Sequence, residues 1–271
     1  MNLTKKENSR KKTPTGQLQT LHYALDVLEL LSKQSSPMRL TDIGKSLGLA
    51  KSKVFRVLAT LAERGYVRKD PRNHDYSLDI GVWGLARTVS DISQLADFAK
   101  PFVDALCDTA QETAFLSILH KNSIMYLYTK TGPSPSLYLG VGSFLPCHAT
   151  ASGKALLAQQ SREFINEYFH DNLEKLTEST LTNRNSLIKE LEIIRQRGYS
   201  IERDEWGVGF SGVATVIPTV GKEKYAAIGL FYPTGRAEDR KLQEFIDLLL
   251  DTQRKIIDRH PTSERLSEVI I

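Results

Sequence analysis

From Leu18 onward apolar residues recur every three or four positions, at Leu21, Ala24, Leu25, Leu28 and Leu31. That spacing predicts an amphipathic helix, which Ser35, Ser36 and Pro37 end. A short helix follows from Thr41 through Ile43 and Leu47 to Gly48, whose tolerance of positive φ suits the turn after a helix. A third runs from Ala50 or Lys51 to Arg64 and stops at Gly65. Its Val54, Val57, Leu58 and Leu61 form one apolar arc, while Ser52, Arg56, Ala59 and Glu63 point the other way. Tyr66 to Lys69 and Asp75 to Leu78, joined through Asp70, Pro71, Arg72 and Asn73, read as a β-hairpin. Helix, short helix, turn, helix and hairpin within residues 18–78 make a winged helix-turn-helix.

A linker helix is expected over 79–92, then a longer helix from Ser93 to Thr113 with a kink or fresh start at Pro101. Beyond it the pattern mixes strands and helices. Strands are expected at Ala114–His120, Ile124–Lys130 and Leu137–Val141, and a loop over Gly142–His148. Helices follow near Thr150–Gln160, Arg162–His170 and Ser186–Arg197. Three late strands, Tyr199–Asp204, Val213–Val220 and Tyr225–Tyr232, precede a terminal helix from Glu238 to Arg259. Helices set apart from a mainly antiparallel sheet make residues 93–260 an α+β domain. Tails of 1–17 and 261–271 complete the chain.

Charge sharpens this division. Residues 1–90 carry 16 Lys and Arg against 8 Asp and Glu, whereas the remaining 181 residues carry 20 against 24. A basic first third on an acidic remainder points to a polyanion partner, double-stranded DNA, for the N-terminal part alone. The candidate DNA-binding residues are Ser52, Lys53, Phe55 and Arg56 on the third helix and Arg68, Lys69 and Arg72 on the hairpin, with His74 beside them. Arginine bridges a guanine edge bidentately, lysine and serine reach phosphates or base edges, and phenylalanine can touch a thymine methyl.

No apolar run is long enough to span a membrane, and the polar N-terminus has no signal-like stretch, so a cytoplasmic protein is expected. Two cysteines, Cys107 and Cys147, fit a reducing compartment. No metal-ligand spacing or glycine-rich phosphate loop calls for a metal or cofactor. The adjacent Cys147 and His148 leave a thiol hydrolase open as a rival, and Glu202, Asp204 and Glu205 leave open paired carboxylates. The thiol–imidazole pair specifies no third group and the acidic cluster also fits a solvated strand end, so the chain is not expected to be an enzyme.

Three strings carry a resemblance. They are Leu40-Thr41-Asp42-Ile43 with Leu47 to Ser52 and Gly65-Tyr66-Val67; Leu145-Pro146-Cys147-His148-Ala149-Thr150-Ala151-Ser152-Gly153-Lys154; and Arg197-Gly198-Tyr199 with Asp204, Glu205, Gly209 and Ala214. On them the chain from Leu18 to Arg259 resembles the IclR-type (isocitrate-lyase-regulator) transcriptional regulators. The resemblance implies a winged-helix DNA-binding domain, a linker helix and a GAF-like effector-binding domain. It also implies a homodimer or homotetramer on a palindromic operator and a small organic acid as effector. A small-molecule sensor acting through protein contacts is the alternative. The chain departs from the family at Lys53, often Thr, and at Phe55, often His, so no operator sequence carries over.

The effector is expected between the late strands and the helix near Thr150. Ala151, Ser152 and Gly153 are expected to offer unpaired N–H groups where a helix N-terminus favours an anion, with His148, Ala149 and Thr150 beside them. On the opposing wall the resemblance places Glu202 in the pocket, Gly212 where relatives often have Cys or Ser, and Gly229 and Phe231 where some relatives have Ser. These exchanges predict a pocket that is roomier at its glycines and more apolar. It would suit an acid with an apolar or aromatic body.

Overall fold

The apolar arcs of the first three helices meet where their spacing aims them. In the computed structural model, which describes residues 18–34, 36–86, 90–133, 140–169, 172–219 and 225–259, these are α1 (Gln19–Ser32), α2 (Leu40–Leu47) and α3 (Lys51–Glu63). Val27 and Leu31 of α1, Ile43 of α2 and Val54, Val57, Leu58 and Leu61 of α3 share one buried cluster. Gly48 caps α2 at φ +63°, a left-handed turn that costs glycine nothing and brings the chain round into α3. Strands β1 (Val67–Lys69) and β2 (Tyr76–Leu78) pair antiparallel with Val67 opposite Leu78, and Val67 and Tyr76 pin this wing to the helical core. Met38 bridges Tyr76, a one-residue third strand that alternation could not reveal. A short helix, α4 (Ile80–Ala86), closes this unit, which the chain leaves at Ser90.

The second unit starts with α5 (Ser90–Ala110), which runs unbroken through Pro101. This corrects the expected fresh start at Pro101 and assigns residues 90–92, expected in the linker helix over 79–92, to α5, while residues 87–89 of that helix lie outside the described residues. A proline removes one N–H, and buried Ala99, Val103, Leu106 and Cys107 hold the turns around it. Next come β3 (Thr113–His120), β4 (Ser123–Lys130), β5 (Phe144–Pro146), α6 (Ala151–Ala158), α7 (Arg162–Tyr168) and α8 (Arg184–Arg197). β6 (Ser200–Arg203), β7 (Phe210–Pro218), β8 (Tyr225–Pro233) and α9 (Asp239–Arg259) complete it. Of the expected strand at Leu137–Val141, Gly140 and Val141 are not in a strand, and Phe144–Pro146, expected as loop, pairs with β4. Leu137 to Leu139 and both tails, 1–17 and 261–271, lie outside the described residues.

The sheet is antiparallel throughout, in the order β5-β4-β3-β8-β7-β6. Side chains alternate between its faces. Ile228, Leu230 and Tyr232 of β8 join Leu106, Phe245 and Leu249 of α5 and α9 in one core. Ala227 and Phe231 join Leu156, Leu157, Ile165, Leu187 and Leu191 of α6 to α8 in another. The architecture is a winged helix-turn-helix unit followed by an α+β unit.

Candidate functional sites

Burial of the apolar arc of α3 leaves Lys51, Ser52, Lys53, Phe55, Arg56, Ala59 and Thr60 exposed, with Phe55 presenting 55% of its surface to water. The expected reading residues therefore do share the solvent side of one helix. They divide into two stripes, because Lys53 leans toward α1, its ammonium 5.4 Å from the centre of the Tyr23 ring. On the wing, Asp70 N donates to Asp75 O at 2.8 Å, His74 N to Asp70 O at 2.9 Å, and Arg72 N to the Asp70 carboxylate at 2.8 Å. These bonds set the turn that carries Arg72 at its tip. Arg68 Nε donates to Ser77 Oγ at 3.0 Å, and the Lys69 ammonium stands 5.8 Å from the Tyr76 ring. All three cations are exposed. Lys51, in the first turn of α3, is a further exposed cation. Sequence reasoning treated it only as the helix start, although its charge was the available signal.

In the second unit, register brings together residues far apart in sequence. Glu202 pairs with Gly212 and Gly212 with Phe231, one row across β6, β7 and β8. The row lies against the start of α6, since a Cβ placed on Gly212 would come within 3.5 Å of both Ala151 Cβ and a Glu202 carboxylate oxygen. Phe231 stacks on Phe210 at 5.4 Å between centroids and meets Trp206 edge-on at 6.1 Å. Trp206, within the Asp204–Gly209 loop, and Phe210, the first residue of β7 after it, were missed in the sequence. Only contact across strands identifies them.

Two expectations about this site, concerning Gly153 and Gly229, are corrected. The Gly153 amide is not free: it donates to Thr150 Oγ1 at 3.1 Å, and that hydroxyl donates to Pro146 O at 3.2 Å, so Thr150 caps the helix. Gly229 makes no room, because Val213 O and the Phe115 ring fill its place, the ring 2.5 Å from where a Cβ would be. His148 is held by its own scaffold: its amide donates to the Tyr168 hydroxyl at 3.0 Å, and Nδ1 pairs with the same hydroxyl at 2.9 Å. Nε2 lies 2.9 Å from Glu174 O, and since a carbonyl only accepts, Nε2 carries the proton. Burial pushes the His148 pKa down and the Cys147 thiol up, the reverse of an activated nucleophile.

His148, Ala149, Thr150, Ala151, Ser152, Glu202, Gly212, Gly229 and Phe231 are all buried. Ser152 lies beside Tyr126, yet its hydroxyl makes no well-formed hydrogen bond. Desolvation pushes Glu202 up to about 7, against two amides, those of Trp206 and Glu205, whose bonds favour its charged form. Lys154 is buried too, and its ammonium meets Glu205 at 2.5 Å. Thr177 Oγ1 donates to Asp204 O and Thr180 Oγ1 to Glu205 O, each at 2.6 Å, while Asp204 accepts from Gly209 N and Thr234 Oγ1. The loop that presents Trp206 is thus tied down on three sides. Among the described residues no three His, Cys, Asp or Glu side chains converge on a metal position.

Comparison with known proteins agrees with both units. Residues 20–71 match the IclR helix-turn-helix domain, and residues 87–258 match the bacterial transcriptional regulator IclR C-terminal domain. The chain is 30% identical over 244 residues to the HTH-type transcriptional regulator BhcR of Paracoccus denitrificans, covering 89% of this chain and 87% of that one. It is 26% identical over 246 residues to the transcriptional repressor IclR of Escherichia coli, covering 89% and 90%. Among solved structures, an IclR homolog of Microbacterium hydrocarbonoxydans complexed with 4-hydroxybenzoate superposes with a TM-score of 0.75 at 22% identity, covering 88% of this chain and 98% of that one. An Alicyclobacillus acidocaldarius IclR regulator gives 0.75 at 22%, covering 89% and 98%.

Proposed function

The chain belongs to the IclR family of bacterial transcriptional regulators, DNA-binding proteins with an effector-binding C-terminal domain, and we propose that it binds a palindromic operator as a dimer or tetramer and answers a small organic acid. Residues 18–78 hold the operator, 79–92 connect and 93–260 bind the effector. The setting is the cytoplasm; no helix among the described residues is long and apolar enough to cross a membrane.

The observation that carries the DNA reading is the solvent face of α3, with Ser52, Phe55 and Arg56 on it and the basic wing adjacent. Arg56 reads a base edge, and Arg68, Lys69 and Arg72 hold phosphates. Arg56→Ala is expected to weaken the cognate site by about 1–3 kcal/mol and relax preference at one base position. Titration of duplexes enriched from a randomised pool, at fixed salt, measures this. Unchanged affinity and preference would remove Arg56 from the reading face. A single wing and helix read few base pairs, so two half-sites and a symmetric dimer are required. Leu21 and Leu25 of α1 and Trp83 and Leu85 of α4, exposed apolar residues, form the contact between copies.

For the effector, Trp206, Phe210 and Phe231 supply an aromatic wall, Glu202 takes a hydroxyl, and the Ala151 and Ser152 amides with the unpartnered Ser152 hydroxyl take a carboxylate. The ligand is accordingly an aromatic or longer-chain acid, the class to which the 4-hydroxybenzoate of the Microbacterium homolog belongs. In calorimetry such acids are expected to bind more tightly than glyoxylate or pyruvate. The reverse order would discard the aromatic wall as the selective element.

A further inference from the structure

We infer that the groove between α1 and α3 seats a phosphodiester of the DNA backbone, gripped by Lys53 together with Gln19, Thr20 and Tyr23 of α1. The groove is a cavity of about 270 Å³ within the first unit, lined by those three α1 residues, by Lys53, Arg56 and Thr60, and by the apolar Ala24, Val57 and Leu61. Its polar chemistry is one-sided. Among its polar groups an ammonium, a phenol, a hydroxyl and a carboxamide can donate there, Arg56 borders it from the reading face, and no Asp or Glu lines it. Thr60 is the exception among the donors, since its hydroxyl already donates to Arg56 O at 3.1 Å. Tyr23 carries the Lys53 ammonium over its ring and fixes that charge at the groove, not along the outward stripe of Ser52, Phe55 and Ala59.

Position selects a backbone phosphate over a base. A helix about 10–12 Å across fills a major groove about 12 Å wide, so its outward stripe meets base edges and its flanks meet the phosphate walls. Lys53 is on such a flank. The α1 residues belong to no reading helix or wing, and a phosphate needs none of their sequence information.

This inference rests on the DNA reading above, and its test separates the two. The full chain is titrated by fluorescence anisotropy against a random-sequence duplex of about 30 base pairs and against a duplex it enriches from a randomised pool, between about 50 and 200 mM salt. Lys53→Met is expected to weaken both duplexes alike, about threefold at the upper salt, and to reduce the salt slope by about 0.9. Tyr23→Phe and Thr20→Ala, with unchanged thermal melts, are expected to weaken both duplexes about twofold or more. A Lys53→Met chain that loses only the enriched duplex and keeps its slope overturns the inference, because Lys53 then reads a base. Tyr23→Phe and Thr20→Ala both leaving affinity untouched overturns it as well. So does inorganic phosphate that shifts the Tyr23 ring resonances while no variant changes DNA affinity, since the groove then serves a free phosphate. If the wild-type chain enriches no duplex at all, the DNA reading itself falls.

Discussion

Lys154→Met is expected to destabilise the effector-binding unit by about 3–5 kcal/mol at pH 7, because it takes one partner out of a buried ion pair and leaves the other behind. The Lys154 side chain keeps 1% of its surface exposed and that of Glu205 10%, so removing the ammonium strands a carboxylate in a place water hardly reaches. One Glu205 oxygen already lacks a partner, which leaves no second donor to take over. Burial raises the Glu205 pKa and Lys154 opposes that rise; without Lys154 the carboxyl stays protonated further up the pH scale. The folded state then holds a proton that the unfolded chain releases, and stability falls as pH rises. The loss is consequently smaller at about pH 5 than at pH 7, and Lys154→Met with Glu205→Gln recovers much of it. Denaturant melts at the two pH values measure this, and an unchanged midpoint for Lys154→Met would show that the pair makes no net contribution.

Glu202 sets the second large effect. Its folded pKa near 7 stands above the ordinary 4.5, so it stabilises the fold fully below about pH 4.5 and loses that contribution as pH rises toward 7. The difference corresponds to about 3 kcal/mol. Glu202→Gln keeps an oxygen for the Glu205 and Trp206 amides but cannot ionise. Relative to wild type it is expected to gain stability progressively from about pH 4.5 to 8, by up to about 3 kcal/mol. Parallel wild-type and Glu202→Gln stability curves across that range would show that the carboxyl titrates alike in both states. The same proton bears on the ligand. An anionic effector binds beside a neutral Glu202 more readily than beside a charged one, so affinity is expected to fall above pH 7 in wild type and to stay level in Glu202→Gln.

The winged helix was legible because its signals are local. Gly48 and Gly65 mark helix ends, Val54 to Leu61 mark a buried arc, and Asp70 to Asn73 mark a tight turn, each within a few residues of what it determines. The second unit gave up its long strands and its helix order for the same reason. It hid β5, because three residues ending in Pro146 show no alternation. The site was half legible. Resemblance grouped Glu202, Gly212 and Phe231, and register places them in a row. The space beside Gly229 was misjudged because the ring that fills it comes from Phe115, on a strand more than a hundred residues earlier. Nothing in the sequence paired Lys154 with Glu205, 51 positions away, until the fold buried them together.

β8 is the shared wall of two cores. Phe231 faces the aromatic side of the sheet, while its chain neighbours Leu230 and Tyr232 face α5 and α9, with Tyr232 5.0 Å from Phe245 between ring centres. A close-packed interior has no slack to absorb a shift of one strand. A molecule wedged against Phe231 would lever on the far core through a single peptide thickness. The helix that meets that pressure directly is α9, through Phe245, and it shares its core with α5, the helix the chain enters on leaving the winged unit.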